Sequence, residues 1–226
     1  MINSIKNISR LFLIPILIGA LSTFSLPPYD LFFINFFTFP VLYFFIVSTD
    51  NKLSNFIFGW MFGFGYFISS LYWIANSLTF DETFKPLIPL SIIIIPLFLG
   101  IFYGLITLIA SLIKIKKNLS SIFIFSLIFA IIEFIRGHVL GGFPWNLIVY
   151  SLTNYLYSIQ ILSVIGTYSL NLLSITLFTL PIILFFKQRV KLKLMGIFLL
   201  LAIILFNNLY GYLNINKFNK TNIEKI

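Results

Sequence analysis

Residues 119–146 read LSSIFIFSLIFAIIEFIRGHVLGGFPWN. Leu119–Arg136 is an apolar run whose only charged residues, Glu133 and Arg136, lie in its last turn. A helix needs about 20 mostly apolar residues to cross the hydrocarbon core of a bilayer. The residues after Arg136 include three glycines and a proline, which interrupt helices. The stretch therefore predicts a membrane span followed by a folded loop.

Similar apolar runs occupy most of the chain, and they predict an all-α, polytopic transmembrane bundle of about seven spans. We treat residues 1–213 as one transmembrane domain and residues 214–226, rich in Asn and Lys, as a polar C-terminal tail. The predicted spans are Leu11–Leu26, Leu31–Ser48, Phe56–Leu78, Leu87–Ile113, Leu119–Arg136, Ser158–Phe186 and Leu194–Leu213.

The composition supports the membrane interpretation. Hydrophobic residues make up 60% of the 226 residues and charged residues only 9%, whereas a soluble domain carries about 25% charged residues. There are too few polar side chains to cover a water-facing surface, so the apolar surface needs lipid as its solvent.

Several classes of chemistry are excluded by the residues present. The sequence contains no Cys, so it offers no disulfide and no thiolate nucleophile. The single histidine, His138, cannot build a metal site alone, and we predict no catalytic residue, metal or cofactor. The net charge of +9 is typical of nucleic-acid binding, but the basic residues lie in short clusters between apolar runs, a pattern that orients membrane helices. We therefore predict no nucleic-acid partner.

The distribution of Lys and Arg predicts the topology. With a cytoplasmic N-terminus, the loops facing outward hold only Lys85 and Arg136, and the tail adds Lys217, Lys220 and Lys225. This bias predicts the N-terminus inside and the C-terminus outside, in a bacterial inner membrane. The inward-facing segments hold Lys6, Arg10, Lys52, Lys114, Lys116, Lys117, Lys187, Arg189, Lys191 and Lys193.

The first apolar run resembles a signal peptide, because Lys6 and Arg10 precede it. The nearest match to a small-x-small cleavage motif is Ala20-Leu21-Ser22, which we do not regard as a clear site. We favour an uncleaved first helix.

Glu133 and Arg136 are the first candidates for a binding site. Glu133 lies 15 residues after Asn118, about 22 Å along a helix, and is the only polar residue that we identify deep inside a span. A carboxylate at that depth needs a partner or a wet cavity. Arg136 lies on the same helix face. The two side chains form either a structural ion pair or part of the lining of a headgroup or substrate cavity.

The loop Phe143-Pro144-Trp145-Asn146 is the second candidate. Irregular backbone is not tolerated in contact with lipid, so this loop must pack on protein or line a cavity. It is either an anchor at the outer interface or a cap over a site of lipid access. We expect its backbone groups and Asn146 to supply polar partners for Glu133.

Two pairs of glycines predict close helix packing. Gly59 and Gly63 on the third span, and Gly100 and Gly104 on the fourth, each form a small-xxx-small pattern that lets helices approach.

Several of these motifs together resemble the membrane half of the apolipoprotein N-acyltransferase family, in order and spacing over most of the chain. The most specific is the block from Glu133–Gly137 to Gly142–Asn146. The others are the turn Pro27-Pro28-Tyr29-Asp30, the stretch Gly59–Ile74 and the run Val164–Tyr168.

The resemblance implies a membrane bundle that carries a periplasmic nitrilase-like domain. It implies a reaction in which an acyl chain moves from a phospholipid to the N-terminal cysteine amine of a diacylated lipoprotein, through a thioester on an enzyme cysteine. The Glu-Lys-Cys triad of that domain does not occur here, since the sequence has no Cys. We interpret the chain as a truncated or split member that is inactive alone. The partners implied are phospholipid, diacylated lipoprotein and a separate nitrilase-like chain; a decayed remnant is the other interpretation.

Two other classes of function stay open. A small transporter or permease would need several intramembrane polar residues or paired broken helices. A non-catalytic membrane scaffold would need neither.

Overall fold

The computed structural model describes residues 9–139 and 141–223, with side chains for residues 11–139 and 141–217. The described residues form helices and turns, without a strand, which confirms the all-α class. The α-helices are α1 (Ile14–Ser22), α2 (Asn35–Ser48), α3 (Lys52–Leu71), α4 (Ile88–Leu112), α5 (Leu119–Arg136), α6 (Leu156–Ile159), α7 (Leu162–Ile165), α8 (Thr167–Thr179) and α9 (Val190–Ile223).

Turns of other helix types extend several of these elements. A π-helical turn, Ser9–Leu13, leads into α1. The remaining segments are 3₁₀ helices: Thr23–Ser25, Phe32–Ile34, Tyr72–Thr79, Glu82–Leu87, Ile148–Leu152 and Leu180–Phe185.

Five helical segments in the described chain are long and apolar enough to cross a membrane. They are Lys52–Thr79, Glu82–Leu112, Leu119–Arg136, Thr167–Phe185 and Val190–Lys217. Leu11–Ser25 and Phe32–Ser48, which correspond to the first two predicted spans, are apolar but shorter. The polytopic bundle is therefore confirmed, whereas the count of seven spans and the orientation remain predictions.

The single span predicted for Ser158–Phe186 is wrong. Two one-turn helices, α6 and α7, occupy its first part, and α8 begins only at Thr167. Gly166 separates α7 from α8 with φ +76°, a conformation that glycine adopts without steric cost. The apolar run is thus a surface turn followed by a span.

Two other predicted boundaries also move. The α-helical part of the third span ends at Leu71 and continues as a 3₁₀ helix to Thr79. The last helix extends past Leu213 to Ile223, so the described part of the polar tail is helical. Residues 1–8, with Lys6, and residues 224–226, with Lys225, lie outside the described part of the chain.

Helices α3 and α4 pack through the four predicted glycines. A Cβ atom added to Gly63 would lie 2.9 Å from the Cα atom of Gly100, and one added to Gly100 would lie 2.9 Å from the Trp60 carbonyl oxygen. Likewise, a Cβ on Gly59 would strike Thr107, and one on Gly104 would lie 2.8 Å from the Phe56 ring. The absence of side chains at these positions lets the two backbones approach.

The bundle has two chemically different ends. We call one the lysine end, where residues 49–52, 113–118 and 186–190 connect helices. There the Tyr43 hydroxyl donates to the Lys116 carbonyl oxygen at 2.7 Å, and Gln188 Nε2 donates to the Lys117 carbonyl oxygen at 2.7 Å. These bonds tie the connection 113–118 to helix α2 and to the connection 186–190.

We call the opposite end the loop end; it holds residues 26–31, 72–87, 137–139 and 141–166. Asn154 donates to the Asp30 carboxylate, and the Tyr155 hydroxyl donates to the Asp30 carbonyl oxygen at 3.2 Å. Helix α9 runs from the lysine end, where Lys193 Nζ donates to the Leu184 carbonyl oxygen, to the loop end, where Asn214 donates to Gln160.

Candidate functional site

Glu133 and Arg136 occupy the last turn of α5 at the loop end, and both side chains are fully enclosed. Arg136 Nη2 lies 3.6 Å from Glu133 Oε1. The same oxygen accepts a hydrogen bond of 3.1 Å from the Tyr103 hydroxyl on α4, and Oε2 accepts one from Asn171 Nδ2 on α8. Glu133 therefore joins three helices.

The Arg136 guanidinium holds the Phe143–Asn146 loop. Its Nη1 donates to the carbonyl oxygens of Phe143 at 2.7 Å and Trp145 at 3.0 Å. In return, the Phe143 N–H donates to the Arg136 carbonyl oxygen at 3.1 Å. The guanidinium carbon also lies 5.2 Å from the centre of the Phe67 ring, a cation–π distance.

The polar partners differ from those that we expected for Glu133. The loop carbonyls bind Arg136, and the carboxylate receives its hydrogen bonds from Tyr103 and Asn171. A carbonyl oxygen accepts and does not donate, so these loop groups could satisfy only the cation. The backbone oxygen of Asn146 accepts from the Tyr66 hydroxyl at 3.1 Å.

Asn171 is the most informative residue that the sequence prediction missed. Its side chain is 0% exposed, and its Oδ1 accepts from the Val149 N–H at 2.9 Å while its Nδ2 donates to Glu133. The statement that Glu133 alone is a buried intramembrane polar residue is therefore wrong. An amide within an apolar run was the available signal, because such a group needs hydrogen-bond partners inside the bundle.

A cavity of about 540 Å³ opens beside the loop. Its walls are the end of α1 and the turn after it, the end of α3, and the segment that follows the loop. It combines aromatic rings with hydroxyl and amide groups. The lining residues are Ala20, Thr23, Phe24, Leu26, Pro27, Pro28, Tyr29, Ser69, Ser70, Tyr72, Trp73, Asn146, Tyr150 and Thr153.

The loop contributes directly to the wall of this cavity. Asn146 and Tyr150 line it, and Trp145, half exposed, lies 5.1 Å from the ring centre of Trp73. A smaller cavity of about 250 Å³ is lined by Pro144, Trp145, Asn146 and Tyr150. Because Arg136 binds the carbonyl oxygens of Phe143 and Trp145, the buried ion pair holds the loop that forms part of the cavity wall.

These features define a class: a polytopic helical membrane protein in which a buried ion pair holds a Phe-Pro-Trp-Asn loop beside an amphipathic cavity. The family model described as the apolipoprotein N-acyltransferase N-terminal domain matches residues 18–180, a range that includes the ion pair, the loop and the four glycines. The chain belongs to this family, as the motifs indicated.

Individual relatives agree. The chain is 36% identical over 176 residues to an apolipoprotein N-acyltransferase of Brucella melitensis, covering 74% of this chain and 33% of the relative. It is 37% identical over 177 residues to that of Rhodopseudomonas palustris, covering 76% and 33%. A relative in Rhizobium rhizogenes is 31% identical over 214 residues, covering 90% and 39%. The chain spans about a third of the length of these relatives.

Proposed function

We propose that this chain forms the membrane part of an apolipoprotein N-acyltransferase in a bacterial inner membrane. The reaction transfers an acyl chain from a phospholipid to the N-terminal cysteine amine of a diacylated lipoprotein. In this proposal the chain binds the phospholipid and receives the lipoprotein at the loop end.

The chemical step is assigned to residues outside these 226. A thioester intermediate requires a cysteine thiolate, and the sequence has none. We assign that cysteine to a nitrilase-like unit, with the membrane part inactive in its absence.

The observation that carries the proposal is the cavity of about 540 Å³ beside the Arg136-held loop, within the region matched to the family. Tyr29, Tyr72 and Trp73 give it an aromatic wall, and Tyr and Trp are the residues that favour the membrane–water interface. Ser69, Asn146 and Thr153 add polar groups. A wall that combines aromatic rings with polar groups suits the junction between the headgroup and the acyl chains of a phospholipid.

Reconstitution tests the proposal. The purified chain is incubated with phospholipid and diacylated lipoprotein, with and without a nitrilase-like domain from one of the relatives, and mass spectrometry measures the added acyl chain. We expect acylation only when both proteins are present. Acylation by the chain alone above a no-protein control, or equal acylation by the nitrilase-like domain without the chain, would contradict the proposal.

A matched pair of aromatic variants tests the cavity itself. Trp73→Ala removes part of the wall, whereas Phe80→Ala removes a 90% exposed ring at the same end that does not line the cavity. In the two-protein assay we expect Trp73→Ala to lower the rate and Phe80→Ala to leave it unchanged. Equal rates for both variants would remove the cavity from the proposal.

A further inference from the structure

A second cavity, of about 400 Å³, lies at the lysine end, between the start of α3 and the turn that follows α4. Its wall has an apolar part, formed by Ile46, Val47 and Ile115, and a polar part that includes four charged residues. The polar lining residues are Thr49, Asp50, Lys52, Ser111, Lys114 and Lys116. We call this cavity the lysine crevice.

The charge of the crevice is positive and unbalanced. Three lysines line it against one carboxylate, that of Asp50. None of the three forms an ion pair with a carboxylate of the described residues. Uncompensated cations around a concave surface favour an anionic ligand.

The turn that carries two of these lysines is held in place. Lys114 has a φ of +56°, which turns the chain, and the Ile115 N–H then donates to the Ala110 carbonyl oxygen at 3.2 Å. Ile115 is buried in the core between two exposed lysines. The Lys116 N–H donates to Ser121 Oγ at 2.9 Å, and the Lys116 carbonyl oxygen accepts from Tyr43.

The crevice also offers donors other than lysine. Ser111 Oγ accepts a hydrogen bond from Asn55 Nδ2 at 2.9 Å, so its own hydrogen can be donated to a ligand. Lys52 is the first residue of α3, and the amino end of a long helix carries a partial positive charge that favours anions.

We propose that the lysine crevice binds the phosphate headgroup of an anionic phospholipid. Lys52, Lys114 and Lys116 face the phosphate, Ser111 donates to it, and the apolar part of the wall contacts the start of the acyl chains. Basic pockets between helices at one membrane surface recognise such headgroups. This site lies at the opposite end of the bundle from the cavity assigned to acyl transfer, and it does not depend on that function.

The test measures lipid retention. The purified chain is placed in nanodiscs of phosphatidylethanolamine and phosphatidylglycerol in equal amounts, extracted in mild detergent, and analysed by native mass spectrometry for bound lipid. We expect phosphatidylglycerol to be retained in preference to phosphatidylethanolamine. Replacing Lys52, Lys114 or Lys116 with Gln should weaken that preference about fivefold for each lysine removed.

Lys117→Gln is the matched control. Lys117 is in the same turn, and its replacement removes the same charge, but its Nζ lies 5.3 Å from the Phe44 ring centre and does not line the crevice. We expect Lys117→Gln to retain the preference for phosphatidylglycerol. Equal losses for Lys116→Gln and Lys117→Gln would overturn the site, because general surface charge would then explain the binding.

Two further measurements distinguish a loss of lipid binding from misfolding, and a lipid headgroup from free phosphate. A variant with Arg at all three positions keeps the charge and should keep the lipid preference, and its failure to do so while correctly folded would count against a charge-based site. Inorganic phosphate is added as a competitor. If millimolar phosphate removes all of the bound lipid, and samples without phosphate show no preference for phosphatidylglycerol, the crevice is a site for free phosphate and the headgroup proposal is wrong.

Discussion

At the loop end of the bundle, Glu133 and Arg136 are enclosed by protein, and Glu133 accepts hydrogen bonds from side chains on α4 and α8. At the lysine end, Lys52, Lys114 and Lys116 are exposed and lack ion-pair partners in the described chain. The same bundle therefore holds its charges in two different ways.

The difference has a physical cause. A buried charge must be paired and hydrogen-bonded, because its desolvation is costly, so the loop end needs specific partners in fixed positions. Exposed charges cost little and contribute little to stability. Substitutions at the loop end should therefore change the stability of the fold, whereas substitutions at the lysine end should change ligand binding.

The largest expected effect concerns the orientation of the two ends in the membrane, because a reporter fused to the chain is either active or inactive. We predict that the lysine end faces the cytoplasm and that the C-terminus, which follows α9 in the chain, faces the periplasm. A phosphatase fused after Ile226 should be active. An inactive phosphatase together with an active cytoplasmic reporter at the same position would show that the orientation is the reverse of the one we predict.

Arg136→Ala should give the largest loss of stability. It leaves the Glu133 carboxylate without its cation, a loss of about 3–5 kcal/mol for a fully buried pair. Combining it with Glu133→Gln should be milder, because the uncompensated charge is gone. The double variant should still be less stable than the parent, since the carbonyls of Phe143 and Trp145 lose their donor. Thermal unfolding in detergent measures all three proteins.

Lys85→Ala is the control for this prediction. Lys85 and Glu82 form an ion pair with the same spacing of three residues, but both side chains are exposed, so the cost should be below about 1 kcal/mol. If Arg136→Ala were as stable as Lys85→Ala, burial of the pair would not have the cost that we assign to it.

Asn171→Leu should have an intermediate effect. The substitution keeps the approximate volume but removes the donor to Glu133 and the acceptor for the Val149 N–H. Glu133 keeps Tyr103 and Arg136, whereas the Val149 N–H is left unpaired. One unpaired buried polar group costs about 1–3 kcal/mol, so the free energy of unfolding should fall by an amount in this range. Asn154→Leu, which removes an exposed bond to Asp30, should cost less; equal costs would argue against a special role for the buried amide.

Some of this site follows from local sequence and some does not. The spacing of Glu133 and Arg136 places them on one helix face, and the glycines and proline after them predict a loop. Tyr103 and Asn171 are 30 and 38 residues away from Glu133, and their positions depend on how three helices align, which no local pattern encodes. The same limit explains Ser158–Phe186, where the largely apolar run predicted one helix but the chain breaks at Gln160–Ile161 and again at Gly166.

The smallest effect should come from Tyr43→Phe at the lysine end, and it also tests the comparison between the ends. Tyr43 is 0% exposed and packs 5.4 Å from the Phe125 ring centre, and phenylalanine keeps that packing. The variant loses the bond to the Lys116 carbonyl oxygen, which costs about 1 kcal/mol.

Because that bond fixes the turn that carries Lys114 and Lys116, Tyr43→Phe should also weaken the preference for phosphatidylglycerol. A loss of about half a kcal/mol in the free energy of lipid binding would weaken it about twofold. Tyr103→Phe is the matched variant at the loop end: it removes one buried hydroxyl, here from Glu133, and should lower stability while leaving lipid retention unchanged. Native mass spectrometry and thermal unfolding of both variants separate the two effects. If both tyrosine variants lose lipid equally, retention reflects the stability of the whole bundle, and the two ends are not independent.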